Sequence, residues 1–265
     1  MILASASPIP LSLSVAAAAA YAWPAWQSQQ LSQRSSQLWV AVAWILHGVV
    51  LLTGLLGPQP HFGFAPAMSI TAWLVAAVYA VESRFYPQLP TRWTLCALGA
   101  AAVLLGSLFP GSPIPHAASA WLALHLALGV ACYGLFGIAV VHAWFMTRAE
   151  ARFRHAQDPD SGLPLLTLER LTYRFANAGF VLLSATLLVG LLFGEVLYGH
   201  AWRWDHKSVF SVLAWLCFAT LMVGRLGLGW RGKRAVYTLY AGSVLLLLAY
   251  VGSRFVSEVL LGRVP

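Results

Sequence analysis

The sequence predicts an all-α, polytopic membrane helix bundle. Three observations carry that fold class. Charged residues make up only 9% of the 265 residues and hydrophobic residues 60%, with a mean hydropathy of +0.74, whereas a soluble domain carries about 25% charged residues. The apolar residues gather into runs of span length, bounded by short connections that hold most of the Lys and Arg. No run alternates with a period of two, which excludes a transmembrane barrel.

A bilayer core about 30 Å thick needs about 20 apolar residues per helix. Eight transmembrane helices are therefore expected, at about 9–26, 38–56, 67–82, 93–109, 119–146, 171–194, 208–224 and 235–257. The first contains Pro24 and the third is short. The first Lys or Arg is Arg34, so the cationic start of a cleavable signal is missing and a retained first span is expected. The length suits one integral-membrane domain over 1–265. No repeat with a period of 20–50 residues is visible.

Orientation follows from the cations. If the first connection is cytoplasmic, that side holds Arg34, Arg84, Arg92, Arg148, Arg152, Arg154, Arg170, Arg174, Arg225, Arg231, Lys233 and Arg234. The opposite side holds Arg203, Lys207, Arg254 and Arg263. This positive-inside bias predicts that both termini are extracytoplasmic and that the connection around 198–207 faces outward. The long cytoplasmic connection 147–170 reads as a solvated loop, with a short interfacial helix before the sixth span as the alternative. The net charge of +8 is spread over these connections. With no basic stripe interleaved with aromatics, nucleic acid is not an expected partner; membrane lipid is.

Few residues could carry catalysis. Phosphate loops, Ser/His/Asp sets and paired carboxylates are absent, and the acidic residues lie at span ends or in connections. No catalytic residue is assigned, and binding or delivery is expected rather than an independent reaction. Cys96, Cys132 and Cys217 all lie in apolar runs with no CxxC or CxxCH, so they read as small buried hydrophobes.

The histidines say more. His47 lies about nine residues, or roughly 14 Å along the helix axis, from either end of its span. An ionisable residue at that depth is a functional-site candidate by default. His125 lies about two turns below the outer surface. Neutral imidazole is the usual axial ligand of haem iron; the plainer role for either histidine is an interhelical hydrogen bond. His142 points to another face of the fifth helix and is expected at the interface. His61, His116 and His155 fall in connections. The outward connection "YGHAWRWDHKSV" crowds Tyr198, Trp202 and Trp204 with Arg203, Asp205, His206 and Lys207. Flat aromatics can stack on a macrocycle, and cations can pair with its carboxylates. The simpler role for any one Trp is an interfacial anchor.

"WRWDHKSVFSVLAWL" resembles the tryptophan-rich WWD signature of the cytochrome c assembly family, the CcsA-type haem-handling membrane proteins, with Trp202, Trp204, Asp205 and Lys207 on the matching positions. "WLALHLALGVACYGLF" resembles the family's external-histidine helix and puts His125 there. "WILHGVVLL" resembles the helix with its membrane histidine and puts His47 there. "LPLLTLERLTYRFANAGFVLLSATLLVG" resembles the approach to the WWD connection. The likeness covers a core of about 40–260 and is greatest for the short YpjD/HemX-like inner membrane subgroup, where WDHK stands for WDPK.

The resemblance implies a bacterial inner membrane protein that binds or handles haem b non-covalently in cytochrome c assembly. Its outward site would use His125 as iron ligand, Trp202 and Trp204 as stacking partners, and Arg203 and Lys207 toward the propionates. His47 is the second candidate ligand. Asp205 is expected to orient Lys207 or the start of a helix rather than to touch haem. The sequence departs from the family at three places. Val223 and Gly224 stand near the second membrane histidine, the tail "VSEVLLGRVP" lacks the second external one, and Ser208 replaces the Glu of the signature. A single-ligand site, or one completed by His206, His200 or a partner protein, is what remains. Partners would be haem and cytochrome c assembly components or another membrane protein. The alternative is an accessory subunit that stabilises a transporter or a tetrapyrrole-pathway enzyme without haem. A transporter ranks last, because the first, third, fourth and eighth spans hold few polar residues.

Overall fold

A computed structural model describes residues 8–27, 33–57, 59–85, 92–114, 119–154, 164–198 and 203–262. Trp202, His116, His155 and His200 lie outside the described residues. The helices are α1 (Pro8–Trp26), α2 (Gln33–Leu56), α3 (Phe64–Phe85), α4 (Arg92–Leu108), α5 (Ala120–Arg154), α6 (Leu165–Leu192), the short α7 (Gly194–Tyr198), α8 (His206–Leu228) and α9 (Lys233–Leu260). Six are long and apolar enough to cross a membrane, namely α2, α3, α5, α6, α8 and α9, with shorter apolar helices at Leu11–Pro24 and Leu95–Leu108. The chain is thus a polytopic helical membrane protein.

The expected connection at 147–170 is corrected. Helix α5 continues to Arg154, and "LLTLER" forms the first turns of α6 rather than a loop or a separate helix. The polar side chains of that stretch are tolerated because they lie beyond the apolar run, where water and headgroups solvate them.

Two compact units emerge. One comprises 1–81, 90–116 and 254–265, the other 82–89 and 117–253. In the first, α1 packs against α2 and α4. The stretches His61–Phe62 and Ser112–Pro113 pair antiparallel, His61 opposite Pro113. This short ladder closes tightly, since a Cβ on Gly63 would lie 2.7 Å from the Gly111 Cα, and Gly111 has a φ of 85°.

In the second unit, α5 packs along α6, and α8 along α9. Its core is a stack: the Phe136 and Phe218 rings lie 3.7 Å apart at 10°. A glycine backs each ring. A Cβ on Gly179 would come within 3.1 Å of Phe136, and one on Gly242 within 2.8 Å of Phe218. Four helices meet through two rings because two positions have no side chain. Helix α9 carries π-helical turns at Leu248–Gly252 and Val256–Leu260. The Tyr133 hydroxyl of α5 donates to the Leu246 carbonyl just before the first of them. A hydroxyl that inserts beside the helix ladder in this way is a recognised cause of local bending.

Gly242→Ala is expected to lower the melting temperature in detergent by the equivalent of about 1–3 kcal/mol, because the added methyl enters a filled stack. Gly227→Ala, where a Cβ meets nothing within 4 Å, is expected to be neutral or to stabilise by up to about 1 kcal/mol. Equal effects of the two would refute the stack as the organiser of this unit.

Candidate functional site

His47 and His125 belong to different units. His47 is fully buried on α2. Its Nε2 lies 2.8 Å from the Ser69 hydroxyl of α3, and its Nδ1 3.4 Å from the Tyr21 hydroxyl of α1. The Tyr21 ring meets it edge-on, at 5.9 Å and 89°. Both hydroxyls can donate or accept, so either imidazole tautomer is satisfied. His47 is a hub joining three helices, and in this arrangement neither ring nitrogen is open to a metal.

His125 is different. It sits five residues into α5, half-buried, with its ring hydrogen-bonded to the backbone of Thr186 on α6. Gly190, one helical turn after Thr186, lies in van der Waals contact with the ring; a Cβ there would be 3.4 Å from the His125 Cε1. An imidazole oriented through one nitrogen by a backbone carbonyl is a common way of presenting the other to a metal. Trp121 lies one turn before His125, on the same face, and stacks on Phe193 at 3.8 Å and 13°. Sequence reasoning passed over this aromatic pair, although the i, i+4 spacing of Trp121 and His125 was visible. His47 as arranged thus has a hydroxyl beside each ring nitrogen, whereas His125 leans on the backbone of Thr186.

Of the connection before α8, Arg203, Trp204, Asp205 and His206 are exposed and Lys207 half-buried. Trp204 is 72% exposed. Asp205 caps α8 as expected: its Oδ1 accepts the Ser208 N–H at 2.8 Å, from an extended backbone. Its carboxyl titrates below its ordinary range. Partial burial opposes this, but the Ser208 N–H and hydroxyl, with Lys207 and His206 nearby, outweigh it. Ser208, which replaces the signature Glu, thus serves the cap.

The missing second membrane histidine has a structural counterpart. A Cβ on Gly224 would lie 2.5 Å from the Trp230 ring, which folds back over it. The Trp230 N–H closes on the Gly224 carbonyl at 2.9 Å, through Gly229 at a φ of 63°. The indole occupies the space a side chain at 224 would need.

His142 is fully buried within the protein. Its Nε2 lies 2.9 Å from the Glu82 Oε2, and its ring stacks on Phe175 at 5.5 Å. The carboxylate from the last turn of α3 supplies the partner that makes burial affordable. Sequence spacing gave no sign of the pair, because its members are 60 residues apart. Among the described residues no cluster of three or more His, Cys, Asp or Glu could hold a metal ion.

Asp205→Ala is expected to cost about 1 kcal/mol of stability in detergent, with Asp205→Asn closer to wild type because it still caps. Since folding lowers the Asp205 pKa, its charge stabilises above the ordinary carboxyl range, and that benefit is lost as pH falls through the folded value. The gap between wild type and Asp205→Asn should therefore be present at neutral pH and close on acidification, read by thermal melts at each pH. Glu82→Ala and His142→Ala should each cost about 3 kcal/mol, and the double variant less than their sum, because each single change strands a buried polar group. Additive losses in the same melts would show that the pair is not coupled.

No solved structure is similar enough to serve as a reference. The chain is 28% identical over 196 residues to "Inner membrane protein YpjD" of Escherichia coli K12, covering 73% of each chain. It is 26% identical over 235 residues to "Cytochrome c biogenesis protein CcsA" of Prochlorococcus marinus subsp. pastoris, covering 83% of this chain and 71% of the relative. It is likewise 26% identical over 230 residues to the protein of that name from Synechococcus sp. CC9902, covering 74% and 75%. The family profile described as "Cytochrome C assembly protein" matches residues 34–261, and the chain belongs to that family.

Proposed function

We propose that this chain is a multi-pass protein of the bacterial inner membrane that acts in cytochrome c biogenesis by binding haem at its outward face. The role in biogenesis follows from the family and from the CcsA relatives. The single observation that carries the haem reading is His125: half-buried near the outer end of α5, beside the Trp121–Phe193 stack, with its ring oriented through the Thr186 backbone.

In this reading His125 ligates iron. Trp204 and Trp202 cover the face of the macrocycle, while Arg203 and Lys207 meet its carboxylates. A guanidinium suits a carboxylate bidentately and an ammonium suits it as a point charge. Asp205 fixes where α8 begins and so sets where Lys207 and His206 are held. His206 is the nearest candidate in the chain's own sequence for a second axial ligand. Non-covalent haem b suits a chain without CxxCH. His47 keeps its place in the scaffold and becomes a ligand only by giving up Ser69 or Tyr21. The second reading, an accessory subunit without haem, draws on that same closed hydrogen bonding of His47.

The test is the visible spectrum, with a pyridine haemochrome assay, of protein purified in mild detergent from haem-replete cells. A Soret band is expected in wild type and in Ser69→Ala, and its loss in His125→Ala. A fall of about tenfold in retained haem is expected in Arg203→Gln/Lys207→Gln, as two carboxylate partners are removed. A colourless wild type that takes up no added haemin would overturn the haem reading in favour of the accessory subunit. A Soret band kept in His125→Ala but lost in His47→Ala would move the site to the first unit.

A further inference from the structure

Far from His125 along α6, a cavity of about 600 Å³ opens between the first turns of α6 and the last turns of α8. Four guanidinium groups and one carboxylate line it. The Glu169 Oε1 is already engaged twice, by Arg225 Nη1 at 2.7 Å and Arg231 Nε at 3.2 Å. The Arg225 guanidinium lies 4.3 Å above the Tyr173 ring. The Tyr173 hydroxyl donates to the Trp230 carbonyl at 3.1 Å, which ties the α8–α9 turn, and Arg231 with it, to α6. These contacts make a rigid cationic back wall.

The front wall has no internal partner. Arg170 and Arg174 lie one turn apart on the same face of α6, exposed, and neither has a hydrogen bond or ion pair among the described residues. The cavity thus holds more positive charge than its one carboxylate can answer. Its rim is apolar: Leu166 is 64% exposed and Leu226 88%. In a membrane-spanning chain such leucines belong beside acyl chains, while guanidinium groups belong at headgroup depth. The ligand that satisfies both is anionic at one end and apolar at the other.

We infer that this cavity binds the phosphate headgroup of an acidic phospholipid. Arg170 and Arg174 contact the phosphate oxygens, Arg225 and Arg231 stand behind them, and the acyl chains run along Leu166 and Leu226. On the orientation set by the Lys and Arg distribution, this lipid comes from the cytoplasmic leaflet, and basic cavities between helices on that side suit such headgroups. Free phosphate would use the arginines but gain nothing from the leucines. The inference does not depend on haem binding.

The test is native mass spectrometry of the full chain released from detergent micelles doped with either dioleoyl-phosphatidylglycerol or dioleoyl-phosphatidylcholine. Wild type is expected to retain phosphatidylglycerol preferentially. Arg170→Gln/Arg174→Gln should lose about tenfold or more of that retention, with phosphatidylcholine unchanged. Arg148→Gln, a cation held over the Trp144 ring and outside the cavity, should keep it. The melting temperature of the double variant should match wild type, since neither arginine has an internal partner. No preference for phosphatidylglycerol, or equal loss in Arg148→Gln, would overturn the site. Displacement of the lipid by millimolar inorganic phosphate would reassign it to a free oxyanion, and displacement by haemin to a carboxylate amphiphile; either result overturns the lipid assignment.

Discussion

A polar group inside a bilayer must find its partner within the protein, at a cost of several kcal/mol if it fails. This chain meets that constraint with few polar side chains, so it uses the backbone. Helical carbonyls already accept one hydrogen bond and can accept a second if a donor can reach them. Twice a glycine one turn downstream opens the way. Trp73 on α3 donates to the Trp44 carbonyl at 2.9 Å, passing over Gly48, where a Cβ would lie 3.3 Å from its ring. Trp44 returns the bond to the Trp73 carbonyl at 3.1 Å, and the two indoles stack at 4.5 Å. His125 reaches the Thr186 backbone beside Gly190 in the same way. The glycines are placed where a donor must approach a carbonyl, or where a ring must fill the core.

The same constraint separates the two membrane histidines. His47 has a hydroxyl on each nitrogen and knits α1, α2 and α3 together. His125 uses the backbone and stands near the N-terminal end of its helix. Depth made His47 a candidate, since the cost of an ionisable group is greatest at mid-span, and position alone did not separate it from His125. Partners do. A fully satisfied imidazole has a structural reason to be there. At Gly224 the Trp230 ring fills the space a side chain would need.

The helices themselves were legible because lipid imposes a length and a composition. The expected first span at 9–26 compares with Pro8–Trp26, and the expected sixth at 171–194 overlaps Leu165–Leu192. The Asp205 cap was legible too, since a helix start is a local event. What could not be read were partners distant along the chain. Glu82 and His142, or Glu169 and Arg231, carry no mutual signal in spacing, and hydropathy assigns each to a span end. Helix continuation past the apolar run, as in α5 to Arg154, escaped because hydropathy marks the membrane's edge and not the helix's.

Charge is handled differently at the two ends of the second unit. Toward the C-terminal end of α5 and the first turns of α6, two acidic groups are matched inside the fold: Glu82 by His142, and Glu169 by two arginines. Such pairs are held by removal from water and resist rearrangement, because parting them strands a buried charge. At the opposite end Asp205 is committed to a backbone N–H, and Arg203 and His206 remain at the surface. A buried, paired end is suited to holding helices in register. Arg170 and Arg174 are the exception at the matched end, one that a bound anion would resolve.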